Sequence, residues 1–132
     1  MADGCRFETF EQNIMESVLI LRYPFGYVRV EKMNKGALMV IGKVHGVFHD
    51  VKAMIGGAAA RGFREGAKFL FRIYPELQRL ECTIPEQSRS LRRLLTEAGL
   101  VYEGTMRQWY RFADGSIINA VMFSVVREGS DG

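Results

Sequence analysis

The sequence predicts a mixed α+β (α/β) domain, with a central mixed sheet of about six strands, an antiparallel meander, a long crossover helix, a second helix and a C-terminal hairpin. Three observations carry that expectation. The apolar run Ala37 to His45 passes through a short turn, Gly46 to His49, directly into a helical pattern that runs from Asp50 to about Tyr74. A strand of period two, Gln78 to Ile84, follows that helix, and a right-handed crossover makes it the parallel neighbour of the first strand. Two further strands meet at Ala113-Asp114-Gly115-Ser116 and close the chain as a hairpin.

Composition bounds the class. The chain has 132 residues, 48% of them hydrophobic and 25% charged, the profile of one domain (1–132) able to bury a core without metals or disulfides. No apolar run approaches the ~20 residues that span a bilayer, and the start lacks the basic-then-apolar order of a signal peptide. Cys5 and Cys82 are the only cysteines. That excludes a disulfide scaffold and points to a reducing cytoplasm. The net charge is +3. Between Arg61 and Arg93, eight Arg and Lys face four Glu, a bias that would suit a phosphorylated ligand or nucleic acid. Those charges interleave with apolar positions at helical spacing, so they read as a solvated helix face, and nucleic acid is not the expected partner.

Arg6 to Met15 places Phe7, Phe10 and Ile14 at i, i+3 and i+7, the pattern of a short amphipathic helix. Ser17 to Tyr23 is an apolar run of strand length, broken by Pro24-Phe25-Gly26; Tyr27 to Met33 then alternates, and Asn34-Lys35-Gly36 turns into the central strand. In the long helix, Val51, Ile55, Ala58, Gly62, Gly66, Phe69 and Ile73 form an inward stripe, with Asp50 as N-cap. Its glycines each cost about 1 kcal/mol relative to Ala; close approach of helix to sheet is the compensation expected. Leu80, Cys82 and Ile84 alternate with Arg79, Glu81 and Thr83, and Pro85 ends that strand. Gln87 to Ala98 is the second helix, with Leu91, Leu94 and Leu95 inward and Gly99 as C-cap. Leu100 to Phe112 and Ile117 to Val126 are the hairpin strands. Trp109, Tyr110 and Phe112 on that hairpin read as core or dimer contacts rather than a base-stacking platform, which leaves a homodimer as one expectation. Cys82 reads as a small core residue, since nothing nearby in sequence would lower its pKa.

A buried strand that feeds its C-terminal end into a helix N-terminus suits an anionic ligand, because the first-turn N–H groups are unpaired and the helix dipole is positive there. Local sequence then extends the order of elements into a resemblance. Val44-His45-Gly46-Val47-Phe48-His49-Asp50-Val51-Lys52-Ala53-Met54, Leu80-Glu81-Cys82-Thr83-Ile84-Pro85, Ser88 to Leu100 with its Gly99-Leu100 ending, and Tyr102-Glu103-Gly104-Thr105-Met106-Arg107 followed by Asp114-Gly115 stand in order along the chain. Over about Ser17 to Glu128 the sequence resembles the GNAT acetyltransferase superfamily, and within it the small bacteriophage- and prophage-encoded members.

The resemblance implies an acyl-coenzyme A-dependent N-acetyltransferase that takes acetyl-CoA as cosubstrate and passes the acetyl group to a primary amine, in a bacterial host cytoplasm if phage-encoded. It implies a cofactor site at Val44, His45, Val47, His49, Lys52 and Ser88. In the family, pantetheine amides pair with the splayed end of the fourth strand, and the pyrophosphate lies on an Arg/Gln-x-x-Gly-x-Gly/Ala loop. Here His49, Lys52 and Met54 replace the Arg or Gln and the two glycines, and Lys52 brings a charge. The family's tyrosine acid is Leu95 here, and the Asn that opens its helix is Ser88. His45 is a candidate general base, imidazole being the side chain suited to proton transfer near neutral pH, or a hydrogen-bonded strand-end His; Glu31 is a second candidate base if it faces the acceptor. The replacements at the loop and at Leu95 support an alternative: a GNAT-fold accessory or binding protein that no longer catalyses. No metal site is expected.

Overall fold

The computed structural model describes residues 8–13, 18–24, 26–35, 38–48 and 57–128. Strands β1 (Thr9–Asn13), β2 (Val18–Tyr23), β3 (Gly26–Lys35) and β4 (Leu38–Phe48) follow one another as an antiparallel meander. Helix α1 (Ala58–Ile73) leads to β5 (Arg79–Pro85), and helix α2 (Arg89–Glu97) to β6 (Val101–Arg111); β7 (Ile117–Val126) returns between them. The result is one seven-stranded sheet in the order β1-β2-β3-β4-β5-β7-β6. β4 and β5 are parallel neighbours, as the crossover required.

The extra strand corrects the N-terminal expectation. Residues 9–13, read as part of a helix, form β1 and pair with β2 from Thr9↔Arg22 to Asn13↔Val18. Period two explains the segment better than period 3.6. Phe10 and Gln12 point to one side, where the Phe10 ring meets Phe69 edge-on at 5.1 Å and Gln12 accepts a 2.8 Å hydrogen bond from the Tyr74 hydroxyl. Glu11 points to the other side and pairs with Arg22 at 3.1 Å. Phe7, Ile14 and Met15, the rest of the expected helix, lie outside the described residues.

The core sits on one face of the sheet. Leu19, Leu21, Val28, Val30, Leu80, Ile84, Val121 and Phe123 form a single buried cluster with Ala59 and Leu70 of α1 and Leu94 and Leu95 of α2. Burying each large aliphatic side chain contributes about 1.5–3 kcal/mol. The opposite face, which carries Arg22, Arg29, Glu31, Arg79 and Glu81, has no helix over it among the described residues.

Helix α1 differs from its expected form in two ways. It starts at Ala58, after Gly57 at φ 85°, a left-handed conformation that interrupts any continuous helix from Asp50. Asp50, Val51 and Ile55 lie outside the described residues. Its buried stripe is Ala59, Ala60, Gly62, Gly66 and Leu70, which leaves Ile73 exposed. The close approach expected of its glycines is present. A Cβ on Gly66 would stand 2.5 Å from the Tyr23 hydroxyl oxygen, and that hydroxyl donates to the Gly62 carbonyl at 2.7 Å. Helix α2 ends as expected: Gly99 has φ 96°, and the Leu100 N–H reaches back to the Leu95 carbonyl at 2.9 Å.

For two of the hairpin aromatics the structure corrects the expectation of a place in the core. Trp109 is 55% exposed and Phe112 45%, so neither belongs to the core. An irregularity between Met106 and Tyr110 turns this stretch outward, with Gln108 at φ 54° and its N–H on the Asn119 side-chain oxygen at 2.9 Å. Among the described residues, no helix is long and apolar enough to cross a membrane.

Candidate active site

The site is a parting of strands. β4 and β5 pair only at Ile41↔Arg79, Gly42↔Leu80 and Lys43↔Glu81. Beyond those positions β4 stays on β3 as far as Gly26↔Phe48, and β5 stays on β7 as far as Pro85↔Ala120. Each strand remains held on its outer side while residues 44–48 and 82–85 no longer face a ladder partner across the gap. The sequence favours this locally. Gly42 lets the strands close just before they part: a Cβ there would meet Leu80 Cδ2 at 2.8 Å and Val30 Cγ1 at 2.9 Å. Pro85 has no N–H to offer a neighbouring strand.

The wedge so formed encloses about 210 Å³. Val44 and His45 form one wall and Cys82, Thr83, Ile84 and Pro85 the other; Phe63 of α1 and Leu91, Leu94 and Leu95 of α2 close the back. The lining is mostly apolar. Cys82 is 8% exposed, and burial pushes its thiol up to about 12, so it is a neutral core group at neutral pH and no nucleophile. Leu95 is buried at the back of the wedge and offers no proton.

Helix α2 begins shortly after Pro85, the last residue of the β5 wall. The Ser88 N–H donates to the Pro85 carbonyl at 3.1 Å, and the Ser88 carbonyl accepts from Arg92 N–H at 3.1 Å. The Ser88 side chain makes no capping bond, and no acidic residue occupies the helix's first turn. The first-turn N–H groups thus have no side-chain cap.

The two candidate bases come together. His45 of β4 stands opposite Arg29 of β3, and Glu31 lies two residues farther along β3. Both side chains therefore share the helix-free face as diagonal cross-strand neighbours, about 7–8 Å apart. His45 is exposed and Glu31 half-buried. Val44 and His45 line the wedge, Val47 pairs with Tyr27 by its backbone, and Ser88 sits at the helix start. His49, Lys52 and Met54 lie outside the described residues. Sequence reasoning missed Arg29, whose place opposite His45 depends on register, and Phe63, which the expected helical stripe had pointed elsewhere. Thr83 and Pro85 were legible as a strand end but not as a wall. Among the described residues, no group of three His, Cys, Asp or Glu could hold a metal ion.

No family model matches the chain, and no curated protein matches it. Solved structures do. A GNAT-family acetyltransferase from Streptococcus pneumoniae superposes with a TM-score of 0.70 at 16% identity, covering 85% of this chain and 68% of that one. The ribosomal-protein-S5-alanine acetyltransferase of Vibrio fischeri gives 0.71 at 13% identity, covering 89% and 66%. Mycobacterium smegmatis RimJ, solved with CoA-disulfide, gives 0.66 at 18% identity, covering 83% and 52%. The chain thus spans between about half and two thirds of these proteins' lengths, and it has the GNAT acetyltransferase fold.

Proposed function

We propose that this protein is an acetyl-CoA-dependent N-acetyltransferase that acts on a primary amine. The observation that supports it most is the wedge: a parallel pair that parts after Lys43 and Glu81, in the fold of structures solved as acetyltransferases, one of them with a coenzyme A derivative bound. The residues present fit the narrow arm of such a cosubstrate. Extended amides can pair along the gap-facing edge of 44–48, the apolar lining of Val44, Phe63 and Leu95 suits an alkyl thioester, and the Ser88 hydroxyl can hydrogen-bond an amide or the sulfur. Lys52 is assigned to the phosphates.

When bound, acetyl-CoA supplies an activated acyl group. The chain's own residues position the amine and take its proton. His45 at the wedge wall is the assigned base, since imidazole is a competent acceptor near neutral pH, and Glu31 on the same face attracts the incoming ammonium. Leu95 leaves the departing thiolate without a side-chain acid, so placement of a deprotonated amine carries the reaction. If the gene is phage-borne, as the sequence resemblance suggests, the amine is met inside a bacterial host.

Isothermal titration with acetyl-CoA tests this. Saturable heat and a raised melting temperature are expected, with weaker binding in a Lys52→Glu variant. No heat and no thermal stabilisation at millimolar ligand would overturn the enzyme reading.

A further inference from the structure

A second groove lies away from the wedge and shares no lining residue with it. It runs between α1, the α2–β6 turn at Ala98 and Gly99, and the end of β7, and encloses about 530 Å³. Arg64, Lys68 and Arg72 recur every fourth residue along its α1 wall, steps of about 6 Å, and Arg127 stands on the β7 side. Among the described residues, Glu128 is the one acidic residue that lines it.

Three of these four cations have partners among the described residues, and none of those partners is a carboxylate. Arg64 donates to the Glu97 carbonyl. Arg72 lies over the Phe69 ring at 5.7 Å. Arg127 donates to the carbonyls of Phe71, Tyr74 and Leu77 at 2.8–2.9 Å and covers the Phe71 ring at 5.1 Å. The ion pairs among the described residues belong to Arg22, Arg79 and Arg93. Between the cations the floor is apolar, made of Ala67, Ala98, Val125 and the exposed Val126.

We propose that this groove docks a short acidic segment of a partner protein, one that carries aliphatic side chains between its carboxylates. Cations set in a row rather than around a point match an extended polyanion, not a single phosphate. Small aliphatic residues on the floor take Leu- or Val-sized side chains and offer nothing to nucleobases, because the two nearby rings, Phe69 and Phe71, are already covered by arginine. The carboxylates would supply steering and register, and the aliphatic contacts the desolvated centre. The groove stands independently of the acetyl-transfer reading.

Fluorescence anisotropy decides it, with three labelled probes: a peptide of repeated Glu-Leu-Glu, the same peptide with Ser for Leu, and a single-stranded oligothymidylate. The Glu-Leu-Glu peptide should bind best. It should lose at least about tenfold in affinity both on the Leu-to-Ser change and in a Lys68→Glu/Arg72→Glu variant, whose exposed positions leave the melting temperature unmoved. Three results would overturn the proposal: no peptide binding at millimolar concentration, binding unaffected by the double charge reversal, or tighter binding of the oligothymidylate through the same residues. Self-association of the protein that the double variant abolishes would give the groove to a second copy and overturn it equally.

Discussion

The two ends of the β4–β5 seam are built on opposite plans. At the wedge end the strands part and the lining is apolar. At the other end, on the helix-free face, Arg79 of β5 holds two carboxylates at once: Glu81 at 2.8 Å and Glu103 of β6 by two bonds of 2.7 Å. The Ser124 hydroxyl of β7 adds a hydrogen bond to Glu103. Three strands, β5, β7 and β6, are clamped by one guanidinium. Only three paired positions join this half of the sheet to the meander. The difference teaches where rigidity is placed: each half is stiffened internally, so the gap between them keeps its shape although hardly any ladder crosses it.

The seam itself should be the most sensitive point. A side chain at Gly42 must displace Leu80 and Val30 together, and both are buried. Gly42→Val should therefore cost about 3 kcal/mol in urea unfolding. A loss within about 0.5 kcal/mol would show that the two halves slide freely across the seam. At the wedge end, His45→Ala should lower acetyl transfer about a hundredfold while the urea midpoint barely moves, because the side chain is exposed. An unchanged rate would hand the role to Glu31, tested by Glu31→Gln.

At the clamped end, Arg79→Met should cost about 2 kcal/mol. Glu81, with a side chain only 13% exposed, would be left without its cation, whereas solvent screens the Glu103 arm, which is 36% exposed. A neutral result would mean that β-ladder pairing alone holds β5, β7 and β6 together.

The sequence made some of this contrast legible. Period two in β5, the Gly99 cap and the close approach of Gly62 and Gly66 came from local chemistry and stand where expected; the junction does not, because β4 runs on through the expected turn at Gly46 to Phe48 and the helix starts at Ala58. The wedge was legible only as a resemblance, since nothing in residues 44–48 or 82–85 says that they fail to pair; that depends on which strands hold their outer edges. The N-terminal strand was hidden because Phe10 satisfies both a helical and an alternating pattern, and the contact with Phe69 that decides between them is 59 residues away in sequence. The clamp was invisible for a similar reason. Arg79, Glu81, Glu103 and Ser124 look like four unrelated solvent-facing residues until register brings three strands together.

Acid titration reads that clamp with the smallest expected effect and the clearest sign. The Arg79 guanidinium, and then the Ser124 hydroxyl, hold the Glu103 carboxyl down at about 2, against an ordinary value of 4.5. A folded pKa below the unfolded one means that the unfolded chain binds the proton first. The stabilisation from Glu103 is therefore complete above about pH 4.5 and drains away as pH falls towards 2. Melting temperatures followed across this window should drop more steeply in the native chain than in a Glu103→Gln variant, and the two curves should converge at the acid end. Parallel curves would show that Glu103 is not held by Arg79 in solution, and the stiffness of that half of the sheet would then rest on the Arg79–Glu81 pair and the ladders alone.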